Sequence, residues 1–191
     1  MADPATPDAA TPDRVNPRAG HREMVERVSP LAGFQGVSDA RVRVREIPFL
    51  RQTNVRVDPA RVPPSFGLRL PVEPGTWLRS GETDVLWLGP DEWLAIGDLD
   101  LPRSEDVAVT DVSAQRTTLL VAGPGARDLL AHGCSLDLHP SVFRPGSCAQ
   151  TMLARAQVVL VAREDDEFWV LVRASFARYL ADWIIDAAVD Y

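Results

Sequence analysis

The amino-acid sequence predicts an α+β fold in which mostly antiparallel sheets are combined with a few helices. Short apolar runs with a two-residue alternation recur along the chain, turn residues separate them at close intervals, and helical periodicity is clear in only two segments. With 191 residues, of which 46% are hydrophobic, the chain is long enough to bury a core built from two half-domains. We therefore expect two related half-domains that share a sheet layer.

The N-terminal segment is the part of the chain least suited to folding. Prolines recur among Ala, Asp and Thr in residues 1–28, and large apolar side chains are almost absent. Such a segment buries too little apolar surface to offset the entropy lost on ordering. The composition predicts a disordered tail over residues 1–28 and one folded domain over residues 29–191.

Three strands are predicted after the tail. Polar and apolar residues alternate at residues 42–45 and 53–57, which is typical of strands with one exposed face, and residues 77–79 form a third short run. Residues 58–76, between the last two of these strands, are too rich in proline for a regular element. The sequence does not define the path of that segment.

A β-hairpin is predicted at residues 85–96. Apolar runs at residues 85–88 and 93–96 flank four residues in which Pro90 fixes φ for a turn and Asp91 can accept hydrogen bonds from the local backbone. This segment has the clearest hairpin signal in the chain.

The later part of the chain is predicted to combine strands with two helices. Residues 107–121 supply one or two strands, and a short helix follows, with Pro124 near its first turn and Gly133 as its C-terminal cap. Three further strands are expected at residues 147–154, 157–163 and 167–173. The predicted order is therefore β-α-β-β-β-α.

The final helix has the strongest signal of all. Ser175 is a residue type that caps helix N-termini well, and a helix of about 15 residues, or about 22 Å, is expected to follow it. Arg178, Asp182 and Asp186 form its polar face. The opposite face is apolar at i, i+3 and i+4 spacing and consists of Phe176, Tyr179, Leu180, Trp183, Ile184, Ala187 and Ala188.

Some predicted strands are apolar along their whole length, at residues 119–121, 158–161 and 168–172. Strands of this kind need cover on both faces. Two helices are too few to cover both faces of all of them. The remaining apolar surface must meet either the sheet of the other half or a partner chain, and the sequence leaves both alternatives open.

Composition argues against several classes of function. The net charge is -7 and acidic residues are interspersed among the basic ones, which argues against a nucleic-acid partner. All 20 basic residues are arginines, a bias typical of GC-rich bacterial genomes. The chain has no signal-peptide core and no apolar run of about 20 residues, so we expect a cytoplasmic protein outside the membrane, with both cysteines as thiols.

The residues that could carry chemistry do not form a known site pattern. Four residues are of types that bind zinc: His132, Cys134, His139 and Cys148. They lack the paired spacing, such as C-x-x-C, that lets two ligands on one turn coordinate the same metal ion. Residues 123–125 (Gly-Pro-Gly) open a helix after a strand, yet the third glycine of a dinucleotide fingerprint is missing and the proline has no N–H for a phosphate. We therefore expect no catalytic, cofactor-binding or metal-binding residue in this chain.

Four arginines are the candidate interface residues. Arg116, Arg155 and Arg173 interrupt apolar surroundings in or beside predicted strands, and Arg178 lies on the polar face of the final helix. A guanidinium group is well suited to ion pairing across an interface. It is also common on ordinary strands, where its aliphatic stem packs and its charged end reaches water. Both interpretations of these arginines stay open.

Several motifs follow one another in a fixed order. They are residues 85–97 (VLWLGPDEWLAIG), 111–117 (DVSAQRT), 133–134 (GC), 145–151 (PGSCAQT) and 173–177 (RASFA). This succession resembles the gamma subunit of heterotetrameric sarcosine oxidase over roughly residues 29–189. The resemblance implies a structural, non-catalytic subunit of an oxidoreductase that demethylates sarcosine to glycine, with formation of hydrogen peroxide and of a folate-linked one-carbon unit or formaldehyde. It further implies alpha, beta and delta subunits as partners, with FAD, FMN, NAD, tetrahydrofolate and zinc on those subunits.

The later motifs resemble, more distantly, the folate-binding fold of the glycine-cleavage T-protein. In that family, the strand that corresponds to residues 151–153 is followed by an acidic pair that handles the substrate amine, whereas residues 155–160 contain no acid. The resemblance thus implies the T-protein scaffold without its catalytic group. Two alternatives remain: a stand-alone folate-binding or one-carbon-transfer protein of this fold, and the equivalent subunit of a complex acting on another N-methylated amino acid.

Overall fold

The computed structural model describes residues 27–63, 66–99, 101 and 105–189. These residues form two antiparallel sheets and two α-helices, so the predicted α+β class is confirmed. Most of the predicted tail, residues 1–26, lies outside the described part, and its disorder stays a prediction. None of the described helices is long and apolar enough to span a bilayer.

In chain order, the elements are β1 (Val37–Ser38), β2 (Arg43–Ile47), β3 (Gln52–Val57), β4 (Trp77–Ser80), β5 (Thr83–Gly89), β6 (Glu92–Ile96), β7 (Val107–Asp111), β8 (Arg116–Ala122), α1 (Ala126–Ala131), β9 (Cys148–Leu153), β10 (Ala156–Glu164), β11 (Glu167–Arg173) and α2 (Ala177–Ala188).

The two sheets divide the chain unevenly. The larger sheet has the strand order β1-β2-β8-β11-β10-β9, and the smaller has the order β4-β5-β6-β3-β7. The run at residues 107–121 therefore supplies two strands, one for each sheet. The early strand β2 pairs with β1 and with the much later β8 in the larger sheet, whereas the next strand, β3, joins the smaller sheet. The expected shared sheet layer is thus replaced by two separate sheets.

The sheets pack face to face. Leu86, Leu94 and Ile96 of the smaller sheet meet Val159 and Leu171 of the larger one in a common apolar core. The opposite face of the larger sheet packs against both α-helices in a second core. Of the two alternatives for the wholly apolar strands, the intramolecular one is therefore observed, and these strands need no partner chain to cover them.

The outer face of the smaller sheet is covered by the proline-rich segment whose path the sequence did not define. Phe66 and Leu68 from this segment pack on Val55, Val85 and Trp93. The indole Nε1 of Trp93 donates a hydrogen bond of 2.8 Å to the Pro71 carbonyl oxygen. The described residues of this segment, 58–63 and 66–76, thus form a cover with a single 3₁₀ turn, Pro59–Arg61, as its helical part.

Two predictions about helix ends are wrong. Gly133 does not have a left-handed φ and lies beyond the helix cap at His132; a Cβ there would lie 2.6 Å from Cη2 of Trp183, so close packing is what requires a glycine. Ser175 lies within a 3₁₀ turn, Ala174–Phe176, and no side chain caps α2. Helix α2 begins at Ala177 and has 12 residues, because the chain runs from β11 through this turn directly into the helix.

Candidate interface at one end of the six-stranded sheet

The sheet topology brings three of the four candidate arginines to one end of the larger sheet. Arg116 is the first residue of β8 and Arg173 is the last residue of β11, and the two are directly paired in register. Arg155 lies in the tight turn between β9 and β10, which closes at the same end because the strands are antiparallel. Sequence spacing alone did not reveal this proximity.

An open cleft of about 390 Å³ lies beside these arginines. Its wall includes Arg116, Arg173, Gln150, Gln157 and Met152, on the face that the larger sheet turns toward the smaller one. None of the described residues that line it belongs to the smaller sheet, and none is acidic. Among the described residues, the cleft is therefore formed by the larger sheet together with Ser135, which follows α1.

The cleft is electrostatically positive. Side chains of directly paired residues on neighbouring strands have Cβ atoms about 5 Å apart, so the guanidinium groups of Arg116 and Arg173 share one small region. Burial, followed by the positive charge of Arg173, lowers the pKa of Arg116 from its usual value, and Glu92 acts in the opposite direction. Arg116 Nη1 donates to Gln115 Oε1 at 2.6 Å. The Arg173 side chain has no hydrogen bond or ion pair with another described residue.

Exposed apolar side chains flank the same end of the sheet. Met152, Phe176 and Tyr179 are 42%, 44% and 40% exposed. The two rings meet edge to face with centroids 6.4 Å apart, and the Arg155 backbone N–H donates to the Tyr179 hydroxyl at 3.3 Å. Phe176 and Tyr179 therefore lie outside the buried face of α2, on which the sequence pattern had placed them.

Backbone strain is concentrated here as well. Among the residues that the structure describes, Phe49 and Ala154 are the only non-glycine residues with positive φ, at 60° and 51°. Phe49 follows β2 and Ala154 follows β9, and both strands end at this end of the sheet. The ring of Phe49 is exposed, with the Arg27 guanidinium 5.0 Å above it. Strained residues of this type are often found at functional sites.

Arg178 does not join the cleft. Its Nε lies 3.5 Å from Oδ1 of Asp182, one helical turn later, and both side chains are about two-thirds exposed. Such an i, i+4 pair is an ordinary feature of a solvated helix face and contributes little to stability. The structure thus groups Arg116, Arg155 and Arg173 and gives Arg178 a partner within its own helix.

The cysteines are packing residues in the described structure. Cys148 is buried between the sheets, with its Sγ 3.2 Å from the Thr76 carbonyl oxygen. Burial raises the pKa of the Cys148 thiol to about 12, so the thiol stays neutral and unreactive near pH 7. Cys134 is buried at the sheet edge, 3.9 Å from Thr151 Oγ1. Across the described ranges, no group of three or more His, Cys, Asp and Glu side chains is placed to hold a metal ion.

The Gly-Pro-Gly segment before α1 serves packing. Gly123 has a φ of 112°, and a Cβ there would lie 2.4 Å from the Arg41 carbonyl oxygen. The Gly125 N–H donates to the same carbonyl at 2.9 Å. The glycine at position 123 is therefore explained by its close contact with the loop between β1 and β2.

The sequence of this chain matches one family over most of the folded part. A sequence model described as "Sarcosine oxidase, gamma subunit family" matches residues 55–190. A "Sarcosine oxidase subunit gamma" from Corynebacterium sp. (strain P-1) is 35% identical over 172 residues, covering 82% of this chain and 85% of that relative. The chain belongs to the sarcosine oxidase gamma subunit family. A family member from Arthrobacter sp. is 36% identical over the same shares of both chains.

Solved structures agree with the family assignment. A chain of the heterotetrameric sarcosine oxidase from Corynebacterium sp. U-96, in complex with pyrrole 2-carboxylate, matches with a TM-score of 0.76 at 32% identity, over 86% of this chain and 95% of that chain. The glycine cleavage system aminomethyltransferase T from Bartonella henselae matches with a TM-score of 0.57 at 15% identity, over 76% of this chain and 46% of that one. The second likeness confirms the T-protein-like fold of this gamma-family chain.

Proposed function

We propose that this chain is a non-catalytic subunit of a heterotetrameric sarcosine oxidase, which demethylates sarcosine to glycine and forms hydrogen peroxide. The observation that carries the proposal is the agreement over 95% of a chain from a heterotetramer of that name. A whole-length match favours the same role more strongly than a match to one shared domain. The likeness to the aminomethyltransferase, at 15% identity, concerns the fold and gives no support to folate transfer by this chain.

The chemistry is proposed to take place on the partner chains. In this proposal the alpha, beta and delta subunits carry FAD, FMN, NAD, tetrahydrofolate and zinc, and this chain carries none of them. The candidate residues of this chain serve internal packing, which supports the placement of the cofactors on the partner chains. Cys148 is a neutral thiol in the inter-sheet core, and the glycines at 123 and 125 pack against the backbone of Arg41.

The proposed docking surface is the basic end of the larger sheet, with Arg116, Arg155 and Arg173. Interfaces of permanent assemblies commonly bury more than about 2,000 Å², so this end would form only part of the contact. Arg178 stays a separate proposal, because its bond to Asp182 leaves it less available to a partner. An Arg178→Glu variant that still co-purifies with the larger subunits would remove this residue from the interface.

Co-expression tests the proposed function. The chain is produced alone and together with the other subunits from the same source, and both samples are examined by gel filtration, visible absorbance, metal content and peroxide formation from sarcosine. We expect the lone chain to be colourless, metal-free and inactive, and the co-expressed chain to elute in a stoichiometric complex. Peroxide formation by the lone chain, or its elution as a folded monomer after co-expression, would overturn the proposal.

A further inference from the structure

Arg116 and Arg173 form a like-charged pair whose counter-charge is missing from the described chain. Like charges directly opposite each other on neighbouring strands are destabilising. No acidic residue lines the cleft that they share, within the described ranges. An anion between the two guanidinium groups would relieve their repulsion and could accept hydrogen bonds from both.

Two acidic side chains on neighbouring strands are already engaged. Oε1 of Glu46 accepts hydrogen bonds from the hydroxyls of Ser29 and Thr117. Glu92, whose charge reaches Arg116, accepts a bond of 2.7 Å from Asn54 and forms an ion pair with Arg56 at 3.7 Å. The counter-charge for the cleft is therefore expected from another molecule.

The surroundings of the cleft favour a protein as the source of this anion. Met152 lines the cleft, and Phe176, Tyr179 and Arg155 are exposed at the same end of the sheet. Aromatic residues, methionine and arginine are the types enriched at protein interfaces. The chain as a whole has a net charge of -7, so this basic, partly apolar end is a local reversal of charge that selects a partner with acidic residues.

We propose that the cleft between Arg116 and Arg173 receives the carboxylate of an aspartate or glutamate on the larger subunit against which this chain docks. This inference rests on the proposed function. The planar guanidinium forks bind the carboxylate through paired N–H···O bonds. Met152, which lines the cleft, shields these bonds from water. The arginine pair thereby fixes the position of the subunit as well as contributing to its affinity.

The test measures dissociation of the complete complex. Complexes are prepared with the wild-type chain, with Arg173→Gln and with the double variant R116Q/R173Q, and the rate at which the tagged chain leaves the complex is followed. Loss of one side of a desolvated charge pair mainly raises the dissociation rate. We expect about 30-fold faster dissociation for the double variant and a smaller increase for the single one. The isolated variant chains should melt no lower than the wild-type chain, because each substitution relieves repulsion between the two guanidinium groups.

Arg43→Gln is the matched control. Arg43 is an exposed strand arginine of the same sheet, paired with Ala122 at the end opposite the cleft. Its substitution should leave the dissociation rate unchanged. A second probe is succinate, added to the isolated wild-type chain at millimolar concentration, which should leave its melting temperature unchanged if the carboxylate comes from a protein.

The outcomes separate the two proposals. If the wild-type and double-variant chains leave the complex at the same rate, the cleft inference is overturned and the proposed function is preserved. A rise in melting temperature with succinate, together with an unaffected complex, would make the cleft a site for free carboxylates and would also overturn the inference. Failure of the wild-type chain to form any complex would overturn both proposals.

Discussion

Arg163 and Asp84 connect the two sheets through an ion pair in which Nη1 lies 2.7 Å from Oδ2. Arg163 belongs to β10 and Asp84 to β5, and their side chains are only 13% and 6% exposed. The guanidinium group also lies 4.1 Å from the ring centroids of both Trp77 and Trp169. One arginine thus contacts both sheets through its charge and through two aromatic faces.

Replacing Asp84 by asparagine should destabilise the fold strongly. The substitution leaves the Arg163 charge buried without its carboxylate, and breaking a buried pair in this way costs about 3 kcal/mol or more. Urea unfolding of Asp84→Asn should show this loss in the free energy of unfolding. Asp98→Asn, which breaks the exposed pair with Arg51, should change it by less than about 1 kcal/mol. Equal effects would contradict the importance of the inter-sheet pair.

Adding one methyl group at Gly133 should also destabilise the protein. A Cβ there would lie 2.6 Å from Cη2 of Trp183 and 2.9 Å from the Ala154 nitrogen, so helix α2 or the β9–β10 turn must move. Overpacking of this kind costs about 1–3 kcal/mol. Thermal unfolding of Gly133→Ala can be compared with Gly89→Ala, where the nearest atom is at 3.6 Å. A tolerated Gly133→Ala would show that Trp183 is easily displaced.

Glycine at position 154 should be better tolerated than the natural alanine. Ala154 has a φ of 51°, a region that costs an L-residue about 1–2 kcal/mol and costs glycine nothing sterically. After the entropy cost of glycine is subtracted, Ala154→Gly should stabilise the isolated chain by about 0.5–1 kcal/mol. Differential scanning calorimetry measures the change, with Ala149→Gly in the neighbouring strand as the control that should lose stability. A lower melting temperature for Ala154→Gly would contradict the strain argument.

The Cys148 thiol should resist labelling until the protein unfolds. Burial raises its pKa from 9.0 to about 12. In a Cys134→Ala background, a thiol reagent at pH 8 should therefore react with the unfolded chain only. Between pH 9 and about 12, only the unfolded chain loses the Cys148 proton. The free energy of unfolding should therefore keep the full contribution of the neutral thiol below pH 9 and lose it as the pH rises toward 12. Rapid labelling of the folded chain at pH 8 would show that the inter-sheet space opens.

Removing residues 1–26 should leave the melting temperature unchanged within error. This segment offers almost no large apolar side chain that could stabilise the fold by burial. Arg27 and Ser29 are kept, because they contact Phe49 and Glu46. Calorimetry of the shortened and complete chains provides the comparison. A clear drop after truncation would show that the segment docks on the folded part.

The sequence was most informative where local chemistry decides the structure. The hairpin between β5 and β6 turns at Pro90 and Asp91 as predicted, and the strands at 147–173 lie within one or two residues of their expected limits. The pairing of β2 with β8 joins residues more than seventy positions apart, and no local pattern encodes it. Ser175 has the right chemistry for a cap, but β11 leads into α2 through a 3₁₀ turn that needs none.

The candidate interface could be anticipated only in part. Residue type singled out Arg116 and Arg173, yet only the strand register shows that they face each other. Phe49 and Met152 carried no sequence signal, because an exposed apolar residue cannot be distinguished from a buried one without the fold. Tyr179 was assigned to the core by helical spacing, whereas the actual core face is rotated toward the small residues Ala177 and Ala181.

The smaller sheet is one uninterrupted insertion between β2 and β8. During synthesis on the ribosome, residues 52–111 leave the exit tunnel before any strand that covers their inner face, since Val159 and Leu171 come much later in the chain. Leu86 and Leu94 are therefore exposed to water until the later strands are synthesised. Apolar surface exposed in this way binds chaperones and promotes aggregation. Yield in the cell should thus depend on the speed of translation between β7 and β11 as much as on the stability of the finished fold.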